Sequence, residues 1–529
     1  MKNFGVGSWL RRRRPKTGDS AALVTDEATL TYAQLSDRGD RLADAMATRG
    51  IGKGDRVAYL GENDPAFVET FFACGVLGAI FVPLNTRLAP PEIRFQLQDA
   101  DVRLLVHSRA LRELAISSAK ETEVERRLAV GDDEPASGVT RRPESDGEET
   151  RRSEAELSEE DYEETLAGGE LTARDVAVGL DDGAMILYTS GTTGRPKGAL
   201  LTHGNITWNC MNVIVDMDVN RHDVALMISP LFHVASLDMG LLPMLLKGAT
   251  VVLESKFVPE RVLEHIERYK VTSLNGVPTT YQLLCEHPDW ATTDISSLNK
   301  LTCGGSAVPM YVLEAYEARG LGFSNGYGMT ETAPGATTLP PWRSREKAGS
   351  AGLPQFFTDI RIADPMGEVL PAGEVGEIQI QGPNVIREYW NRPDASAAAI
   401  ADGEWFRSGD MGYVDDDGFL FVSDRLKDMI ISGGENIYPA EVEMVIIELE
   451  AVADVAVIGV PDEKWGEVPR AVVTVRDGAS LTEEELRGHL DGRLARYKIP
   501  KSLVIVEELP RTASGKIRKS DLRRDYSGD

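Results

Sequence analysis

Apolar and polar positions along residues 31–103 follow the helical period and the strand period in turn. Residues 32–49 predict a helix, residues 56–60 a strand and residues 65–77 a second helix. After residue 182 the alternation resumes, with a buried strand at 184–189 and a helix at 205–215. Alternating strands and helices are typical of parallel sheets covered by helices, so the predicted fold class is α/β.

The rest of the chain predicts a β-rich stretch and a separate C-terminal unit. Further strands are predicted at 224–229, 250–253, 271–274 and 300–303, and further helices at 237–246, 259–269, 279–285 and 309–319. Residues 360–421, with short strands and frequent glycines, predict a small β subdomain. Helices at 439–450 and 482–494 with strands at 454–460, 471–475 and 503–506 predict a small α+β domain. We place a large N-terminal domain at 1–424 and a mobile C-terminal domain at 425–529.

Residues 117–172 differ in composition from the segments on either side. Glu, Asp, Arg, Ser and Gly dominate there, and such a segment buries too little apolar surface to offset the entropy of ordering. We expect an acidic, flexible and partly disordered insertion, a solvated tether rather than a binding element.

Length and charge limit the class of protein. The 529 residues are too many for one ordinary core, and a hydrophobic content of 42% is ample for two or more domains. The net charge of −27 argues against nucleic acid and anionic lipid as partners. Only 16 of the 57 basic residues are lysine, and this acidic, lysine-poor composition is typical of a halophilic protein.

The four cysteines, Cys74, Cys210, Cys285 and Cys303, have neither metal-ligand nor redox spacing. They predict reduced, buried thiols in a cytoplasmic protein. The basic cluster at 11–14 precedes no apolar segment, which argues against a secretory signal. No stretch approaches the ~20 apolar residues of a membrane span.

Residues 188–198, Tyr-Thr-Ser-Gly-Thr-Thr-Gly-Arg-Pro-Lys-Gly, are the most informative run of the chain. Glycines, hydroxyls and one lysine present N–H groups and a positive charge, which suit a polyphosphate. The run is not a P-loop, and a flexible surface loop is the alternative. It resembles the signature of the adenylate-forming superfamily, which includes acyl- and aryl-CoA synthetases, luciferases and nonribosomal adenylation domains. The resemblance implies ATP or AMP contacts from Thr189, Ser190, Gly191, Thr192, Thr193, Gly194 and Lys197.

A second run, Asn-Gly-Tyr-Gly-Met-Thr-Glu-Thr at 325–332, combines an aromatic ring, hydroxyls and a carboxylate. These groups suit a base, a phosphate and Mg²⁺ respectively, whereas a lone carboxylate is normally a surface charge. The run resembles the second core motif of the superfamily. The resemblance implies that Tyr327 stacks on adenine, that Thr330 contacts the α-phosphate and that Glu331 holds magnesium. The other nucleotide-binding candidates in this run are Asn325, Gly326, Gly328 and Met329.

Two shorter runs complete the predicted nucleotide site. Gly304, Gly305 and Ser306 follow a strand, where α/β folds bind ligands, although a plain strand–helix turn explains them as well. By resemblance they line the adenine and acyl pockets. In Trp-Phe-Arg-Ser-Gly-Asp at 405–410, an isolated aspartate is usually a turn former. By resemblance, Asp410 binds the ribose hydroxyls.

The predicted domain joint carries the next candidates. Residues 423–428 resemble the superfamily's interdomain motif, except that Asp424 replaces a glycine. The resemblance implies that Arg425 contacts the ribose and phosphate and that Lys427 is the hinge. Residues Ser432, Gly433, Gly434 and Asn436 are then predicted to bind CoA, with the glycine backbone beside its pantetheine arm. A charged linker with a hairpin is the alternative reading of the same string.

Lys516, within Leu-Pro-Arg-Thr-Ala-Ser-Gly-Lys-Ile at 509–517, resembles the catalytic lysine of the superfamily. Attack of a carboxylate on the α-phosphorus builds negative charge on phosphate oxygens and on the departing pyrophosphate. A cation placed there stabilises the transition state more than the ground state. A mobile domain can deliver Lys516 for that step and then withdraw it.

His233, in Ser-Pro-Leu-Phe-His-Val-Ala at 229–235, is the candidate that reads the acid. It could steer a carboxylate or gate the path of the thiol, and a hydrogen-bonded core histidine is the alternative. The surrounding residues are apolar and favour a hydrophobic acid, although they could equally pack a helix. They are Leu237, Met239, Leu241, Leu242 and Met244.

The resemblance covers residues 23–519 apart from the acidic insertion, and it implies an AMP-forming acyl-CoA synthetase. ATP, Mg²⁺ and CoA are the implied cofactors and co-substrates, with a medium- or long-chain fatty acid favoured and a homodimer possible. The alternatives are an aryl-acid CoA ligase of the 4-coumarate, benzoate or succinylbenzoate type, and an enzyme that loads a carrier protein. A luciferase-like oxygenase and a degenerate nucleotide-binding relative are less favoured.

Overall fold

The computed structural model describes residues 2–131, 158–171, 174, 176–190, 196–304, 310–425, 430–437, 439–476, 478–510, 517 and 519–527. The helices are α1 (Trp9–Thr17), α2 (Tyr32–Thr48), α3 (Pro65–Leu77), α4 (Pro90–Asp99), α5 (Arg112–Ala119), α6 (Tyr162–Ala167), α7 (His203–Asp216), α8 (Leu242–Lys247), α9 (Pro259–Tyr269), α10 (Pro278–Cys285), α11 (Met310–Glu317), α12 (Pro393–Ala399), α13 (Pro439–Ile446), α14 (Glu483–Leu490) and α15 (Lys519–Tyr526).

The strands are β1 (Ala21–Val24), β2 (Thr29–Thr31), β3 (Arg56–Leu60), β4 (Ile80–Pro83), β5 (Val102–Ser108), β6 (Arg126–Val130), β7 (Ser158–Asp161), β8 (Gly183–Ser190), β9 (Pro196–Thr202), β10 (Val224–Met227), β11 (Thr250–Leu253), β12 (Ser273–Gly276), β13 (Lys300–Cys303), β14 (Phe323–Gly328), β15 (Gly335–Leu339), β16 (Leu353–Pro354), β17 (Asp359–Ala363), β18 (Gly376–Gln381), β19 (Ile400–Ala401), β20 (Trp405–Val414), β21 (Leu420–Arg425), β22 (Ile430–Ser432), β23 (Glu435–Ile437), β24 (Val452–Asp462), β25 (Gly466–Val475) and β26 (Ser502–Ile505).

Two mainly parallel sheets form the body of the large domain. One has the order β7-β6-β5-β3-β4-β8-β9, and the other has the order β16-β15-β14-β13-β12-β10-β11-β1-β2. The largest apolar cluster contains side chains from both sheets and from α2, α3, α7 and α8. These helices therefore join the two sheets through one continuous core, and the α/β prediction is confirmed.

Local signals explain where the central helices begin and end. Thr31 and Gln34 form a capping box at the start of α2. Asp64 caps α3, whose first residue is proline and whose last residue precedes Gly78 in the left-handed conformation. These signals match the predicted spans closely, because cap and stop residues act within one turn of the helix.

The remaining two sheets are smaller. Strands β17-β18-β20-β19, with β21 against β20, form the antiparallel sheet expected from the glycine-rich stretch 360–421. Strands β23-β22-β25-β24, with β26 parallel to β25, form the sheet of the C-terminal domain. That domain has its own apolar cluster, from Ile430 to Ile499. The chain passes from one sheet to the other between β21 and β22. The predicted hinge, Lys427, lies in the segment 426–429, outside the described residues.

The prediction of a flexible, partly disordered segment at 117–172 is wrong at both ends of the segment, which contain strands and a helix. Strand β6 pairs in parallel with β5, and β7 pairs in parallel with β6. Helix α6 then returns a buried Tyr162 to the core, where its hydroxyl donates to Glu69 at 2.8 Å. The charged residues of β7 form ion pairs such as Glu160 with Arg49, at 2.6 Å. Pairing of charges therefore allowed this acidic sequence to extend the sheet.

Three of the four cysteines are buried, as predicted. Cys74, Cys210 and Cys303 are buried, Cys285 is half-buried, and all four are free thiols. Burial raises the pKa of the three buried thiols. Among the described residues, no helix combines the length and apolar character needed to cross a membrane.

A buried charge cluster joins the two domains away from the predicted hinge. The Lys498 ammonium lies 2.7 Å from Glu441 Oε1 within the C-terminal domain and 2.8 Å from Glu92 Oε1 of α4. Burial, together with the neighbouring Glu92 carboxylate, raises the pKa of Glu441 to about 7 despite the lysine. The cluster therefore holds one cation between two carboxylates, one of which binds a proton readily.

Glu441→Gln is expected to flatten the dependence of stability on pH. The folded-state pKa of about 7 exceeds the ordinary value of 4.5, so stability from the bound proton is present below pH 4.5 and is lost as the pH rises through 7. Glutamine imitates the protonated form. Between pH 5 and pH 8, the unfolding free energy measured in urea should fall by about 1–3 kcal/mol less in the variant. The exposed Glu448→Gln is the control, and an equal fall in variant and parent would contradict the assignment.

Candidate functional site

The loop 191–195 connects two antiparallel strands, β8 and β9, rather than a strand and a helix. Thr189 pairs with Lys197, and Ser190 pairs with Pro196. Strand β9 was not predicted. Gly191, Thr192, Thr193 and Gly194 lie outside the described residues, so the structure places only the two strand ends that hold the loop. The Lys197 ammonium lies over the Tyr389 ring, 5.4 Å from its centroid.

Strand β14 brings the 325–328 motif against the 405–410 motif of the antiparallel sheet. The Tyr327 hydroxyl donates to Asp410 Oδ2 at 2.8 Å. Asp410 pairs across the sheet with Arg425, the last residue of β21. An aromatic face, a carboxylate and the backbone of the interdomain motif therefore lie side by side, as the predicted roles require.

Asn325 has a buried side-chain oxygen that accepts no hydrogen bond within the described part of the chain. A buried acceptor without a donor costs roughly 1–3 kcal/mol, unless a ligand or water supplies the donor. This oxygen is two residues from Tyr327 on the same strand. The site therefore offers a ring to stack on and an acceptor at its side.

The glycines of this region serve two different purposes. A Cβ at Gly328 would lie 1.7 Å from the Pro334 carbonyl oxygen, and one at Gly326 would lie 3.0 Å from the Thr337 oxygen. Both glycines therefore let β15 approach β14 closely. A Cβ at Gly304 would meet no described residue within 4 Å, so among the described residues this strand end has open space beside it. Gly305 and Ser306 lie outside the described residues.

Glu331 is a buried carboxylate, 9% exposed, in a short 3-10 helix that begins at Thr330. Its Oε1 accepts from the Tyr389 hydroxyl at 2.9 Å and from the Thr189 hydroxyl at 3.3 Å. Thr330 and Met329 are half-buried beside it. Two of the predicted motifs thus meet at one carboxylate, with Tyr389 as a partner that the sequence analysis missed.

His233 lies at the junction of the domains and not in the core. Its side chain is 40% exposed, and its Nε2 lies 3.3 Å from Glu435 Oε2 of β23. Glu435 also forms an ion pair with Arg87. Burial by itself raises the pKa of Glu435, but the charges of His233 and Arg87 prevail and lower it below its ordinary value. The alternative of a core histidine is therefore wrong.

The Gly433-Gly434 turn presents bare backbone to the large domain. Ser432 pairs with Glu435 across a two-residue hairpin, and both glycines have positive φ, +58° and +85°. Such turns favour glycine at both positions. A Cβ at Gly434 would lie 3.6 Å from Val277, between β12 and α10. The turn thus lies against the strand ends that carry the site. The backbone of Asn436 lies in β23. Lys516 lies outside the described residues.

The apolar residues near His233 are mostly core residues. Residues 235–241 form a π-helix that leads into α8, and four of the five predicted residues are at most 2% exposed: Leu237, Leu241, Leu242 and Met244. Met239 is half-buried. The helix-packing alternative is therefore correct for four positions, and this apolar run gives little support for a fatty acid.

Comparison with known proteins agrees with these features. The model of the AMP-binding enzyme matches residues 10–390, and that of the AMP-binding enzyme C-terminal domain matches residues 441–516. The chain belongs to the family of AMP-binding enzymes. The predicted membership of the adenylate-forming superfamily, and the predicted class of AMP-forming acyl-CoA synthetase, are confirmed.

The relatives are similar over nearly their whole length. A feruloyl-CoA synthase of Amycolatopsis sp is 48% identical over 529 residues, covering 99% of this chain and 100% of that protein. An indoleacetate–CoA ligase of Aromatoleum aromaticum is 40% identical, covering 98% of each chain.

Two structures of one relative differ in their similarity to this fold. The o-succinylbenzoate CoA synthetase MenE of Bacillus subtilis, 34% identical, superposes with a TM-score of 0.84 as a double mutant bound to the product analogue OSB-NCoA. The complex of MenE with the acyl-adenylate OSB-AMP superposes with a TM-score of 0.69. In both comparisons the match covers 98% of each chain.

Glu435→Gln is expected to loosen the contact between the domains. The substitution removes the charge that pairs with His233 and Arg87. Small-angle X-ray scattering should therefore show a larger radius of gyration at neutral pH, with the exposed Glu463→Gln as a control. Because the pKa of Glu435 is lowered from 4.5, its contribution is present above pH 4.5 and is lost as the pH falls through the folded-state value. Identical scattering from all three proteins would contradict the role of Glu435.

Proposed function

We propose that this enzyme activates an aromatic carboxylic acid with ATP and transfers the acyl group to CoA. The acid's carboxylate attacks the α-phosphorus, pyrophosphate leaves and an acyl-adenylate forms. The thiolate of CoA then attacks the acyl carbonyl and AMP leaves. The observation that carries the proposal is the placement of three motifs at neighbouring strand ends of one sheet: the Tyr327–Asp410 pair on β14, Glu331 just after β14, and the Gly433-Gly434 turn against Val277 just after β12.

The nucleoside fits the groups around Tyr327. Adenine stacked on the ring would bring its exocyclic amine, a hydrogen-bond donor, to the unpaired Asn325 oxygen. Asp410 would accept the protons of the ribose hydroxyls in addition to that of Tyr327. Polar groups that are unsatisfied until the ligand binds give specificity, because a base without the matching donor leaves them unpaired.

The phosphates and their metal fit the groups around Glu331. Oxygen ligands suit Mg²⁺. Glu331 Oε1 accepts hydrogen bonds from the Tyr389 and Thr189 hydroxyls, which leaves Oε2 for other ligands. We infer that Glu331 would hold Mg²⁺ and that Thr330 and Lys197 would contact the phosphates. When bound, the metal would neutralise phosphate charge. Lys516 would supply the second cation of this step.

The domain arrangement supports the thioester step. The fold is more similar to the CoA-analogue complex of MenE than to its adenylate complex. In this orientation the Gly434 backbone faces Val277, and Glu435 holds His233 beside the turn. We propose that the pantetheine arm of CoA passes along these glycines. Adenylation would then require rotation about Lys427 to bring Lys516 to the phosphates.

An aromatic acid is favoured over the fatty acid expected from the sequence. The two relatives described above are named for ferulate and indoleacetate. The apolar run 237–244 is largely buried, so it does not line a long tunnel for an alkyl chain. Among the described residues, the open side of Gly304 instead leaves a backbone-walled space at the end of β13, which suits a planar ring.

A panel of acids tests this proposal. Pyrophosphate release should depend on the acid, and AMP and acyl-CoA release on both acid and CoA. Hydroxycinnamates and arylacetates should give kcat/KM at least about tenfold above C8–C16 fatty acids, a difference of ~1.4 kcal/mol in transition-state binding. Higher values for the fatty acids would overturn the aromatic choice alone. No pyrophosphate release with any acid would overturn the ligase itself.

Lys516→Ala is expected to separate the two half-reactions. Loss of the cation removes stabilisation of the charge that develops on the phosphates, so pyrophosphate release should fall by about 10²–10³-fold. Formation of acyl-CoA from supplied acyl-adenylate should change by less than about threefold, because that step proceeds with the domain rotated away. The exposed Lys501→Ala is the matched control. Equal losses in both half-reactions would argue against the assigned role.

A further inference from the structure

Tyr389 touches both charged groups that face the candidate phosphate site. Its hydroxyl donates to Glu331 Oε1 at 2.9 Å, and its ring lies under the Lys197 ammonium at 5.4 Å. The carboxylate and the lysine come from different motifs, Glu331 from the 3-10 helix after β14 and Lys197 from β9. A single half-buried side chain therefore fixes the position of a negative group and a positive group together.

The backbone holds Tyr389 in register with the strand that carries Lys197. Ala199 and Tyr389 form an antiparallel bridge, and Trp390 N–H donates to the Gly198 carbonyl at 2.7 Å. The Tyr389 N–H donates to Ser396 Oγ at 2.9 Å. Tyr389 thus pairs along the outer edge of β9, and these bonds fix its backbone relative to the strand that carries Lys197.

The hydrogen bonds to Glu331 also select which of its oxygens remains available. Tyr389 and Thr189 both donate to Oε1. Within the described part of the chain, Oε2 accepts no hydrogen bond. Two hydroxyls on one oxygen fix the plane of the carboxylate and direct the other oxygen away from them. Hydrogen bonds of this kind to a ligating carboxylate typically change metal affinity by 10–100-fold when removed.

We propose that Tyr389 is a positioning residue. It holds Glu331 Oε2 toward the divalent cation and the Lys197 ammonium toward the phosphates of the nucleotide. The inference rests on the proposed function, since it assumes that this site binds a metal–nucleotide complex. Tyr389 does not touch the reacting atoms and acts through the two residues it holds. Its hydroxyl orients the carboxylate that would bind the metal, and its ring positions the lysine ammonium.

The experiment separates these two contacts by direct binding. Mn²⁺ affinity is measured by electron paramagnetic resonance in the presence of α,β-methylene-ATP, and binding of the same analogue without metal is measured by calorimetry in EDTA. Tyr389→Phe, which keeps the ring, should weaken Mn²⁺ binding about tenfold and leave metal-free binding within twofold. Tyr389→Leu, which removes the ring too, should weaken both.

Tyr32→Phe is the matched control, because its buried hydroxyl donates to the Ala249 carbonyl at 2.6 Å, outside the site. It should leave both affinities unchanged. Parental Mn²⁺ affinity in Tyr389→Phe would overturn the inference, as would equal weakening of metal-bound and metal-free binding in that variant. If the parent protein binds the analogue neither with nor without metal, the proposed function itself fails. If the parent protein binds the analogue and Mn²⁺, and Tyr389→Phe binds both with the same affinities, only the role of Tyr389 is rejected.

Discussion

The contact of Glu435 with His233 and Arg87 fixes how the small domain lies on the large one. A carboxylate that is buried without a partner is too costly to persist, so Glu435 can be buried only where the large domain supplies positive charge. Those charges lie beside the strand ends that also carry the nucleotide motifs. The orientation that pairs Glu435 with these groups also places the Gly433-Gly434 turn against Val277, at the end of β12.

Charge also makes the orientation reversible. Lys498 with Glu92 and Glu441, and Glu435 with Arg87, join the domains through ion pairs. In such pairs the cost of removing charges from water offsets much of their attraction, and the net free energy is small. An apolar interface of similar size would hold more tightly. The domain rotation proposed above would be better served by such charged contacts than by an apolar interface.

Local sequence signals predicted the elements that depend on local interactions. The span of α3 was predicted correctly because its cap, its first proline and its terminal glycine lie within the sequence of the helix. Strand β9 and the ends of the 117–172 segment were missed, because strand pairing and distant ion pairs decide their structure. Glu331 meets Tyr389 across 58 residues, and Glu435 meets His233 across 202. Motifs identified Glu331 and His233, whereas no periodicity marks their partners.

Electrostatics distinguishes the site from the rest of the surface. The chain carries a net charge of −27, yet ATP, CoA and carboxylic acids are all anions that such a surface repels. At physiological ionic strength this repulsion is largely screened beyond about 8 Å. Lys197 and Arg87 lie at the site itself, where partial burial and short distance weaken the screening. Short-range attraction from a few held cations can therefore outweigh the long-range repulsion, which explains why those cations must be fixed by neighbours such as Tyr389 and Glu435.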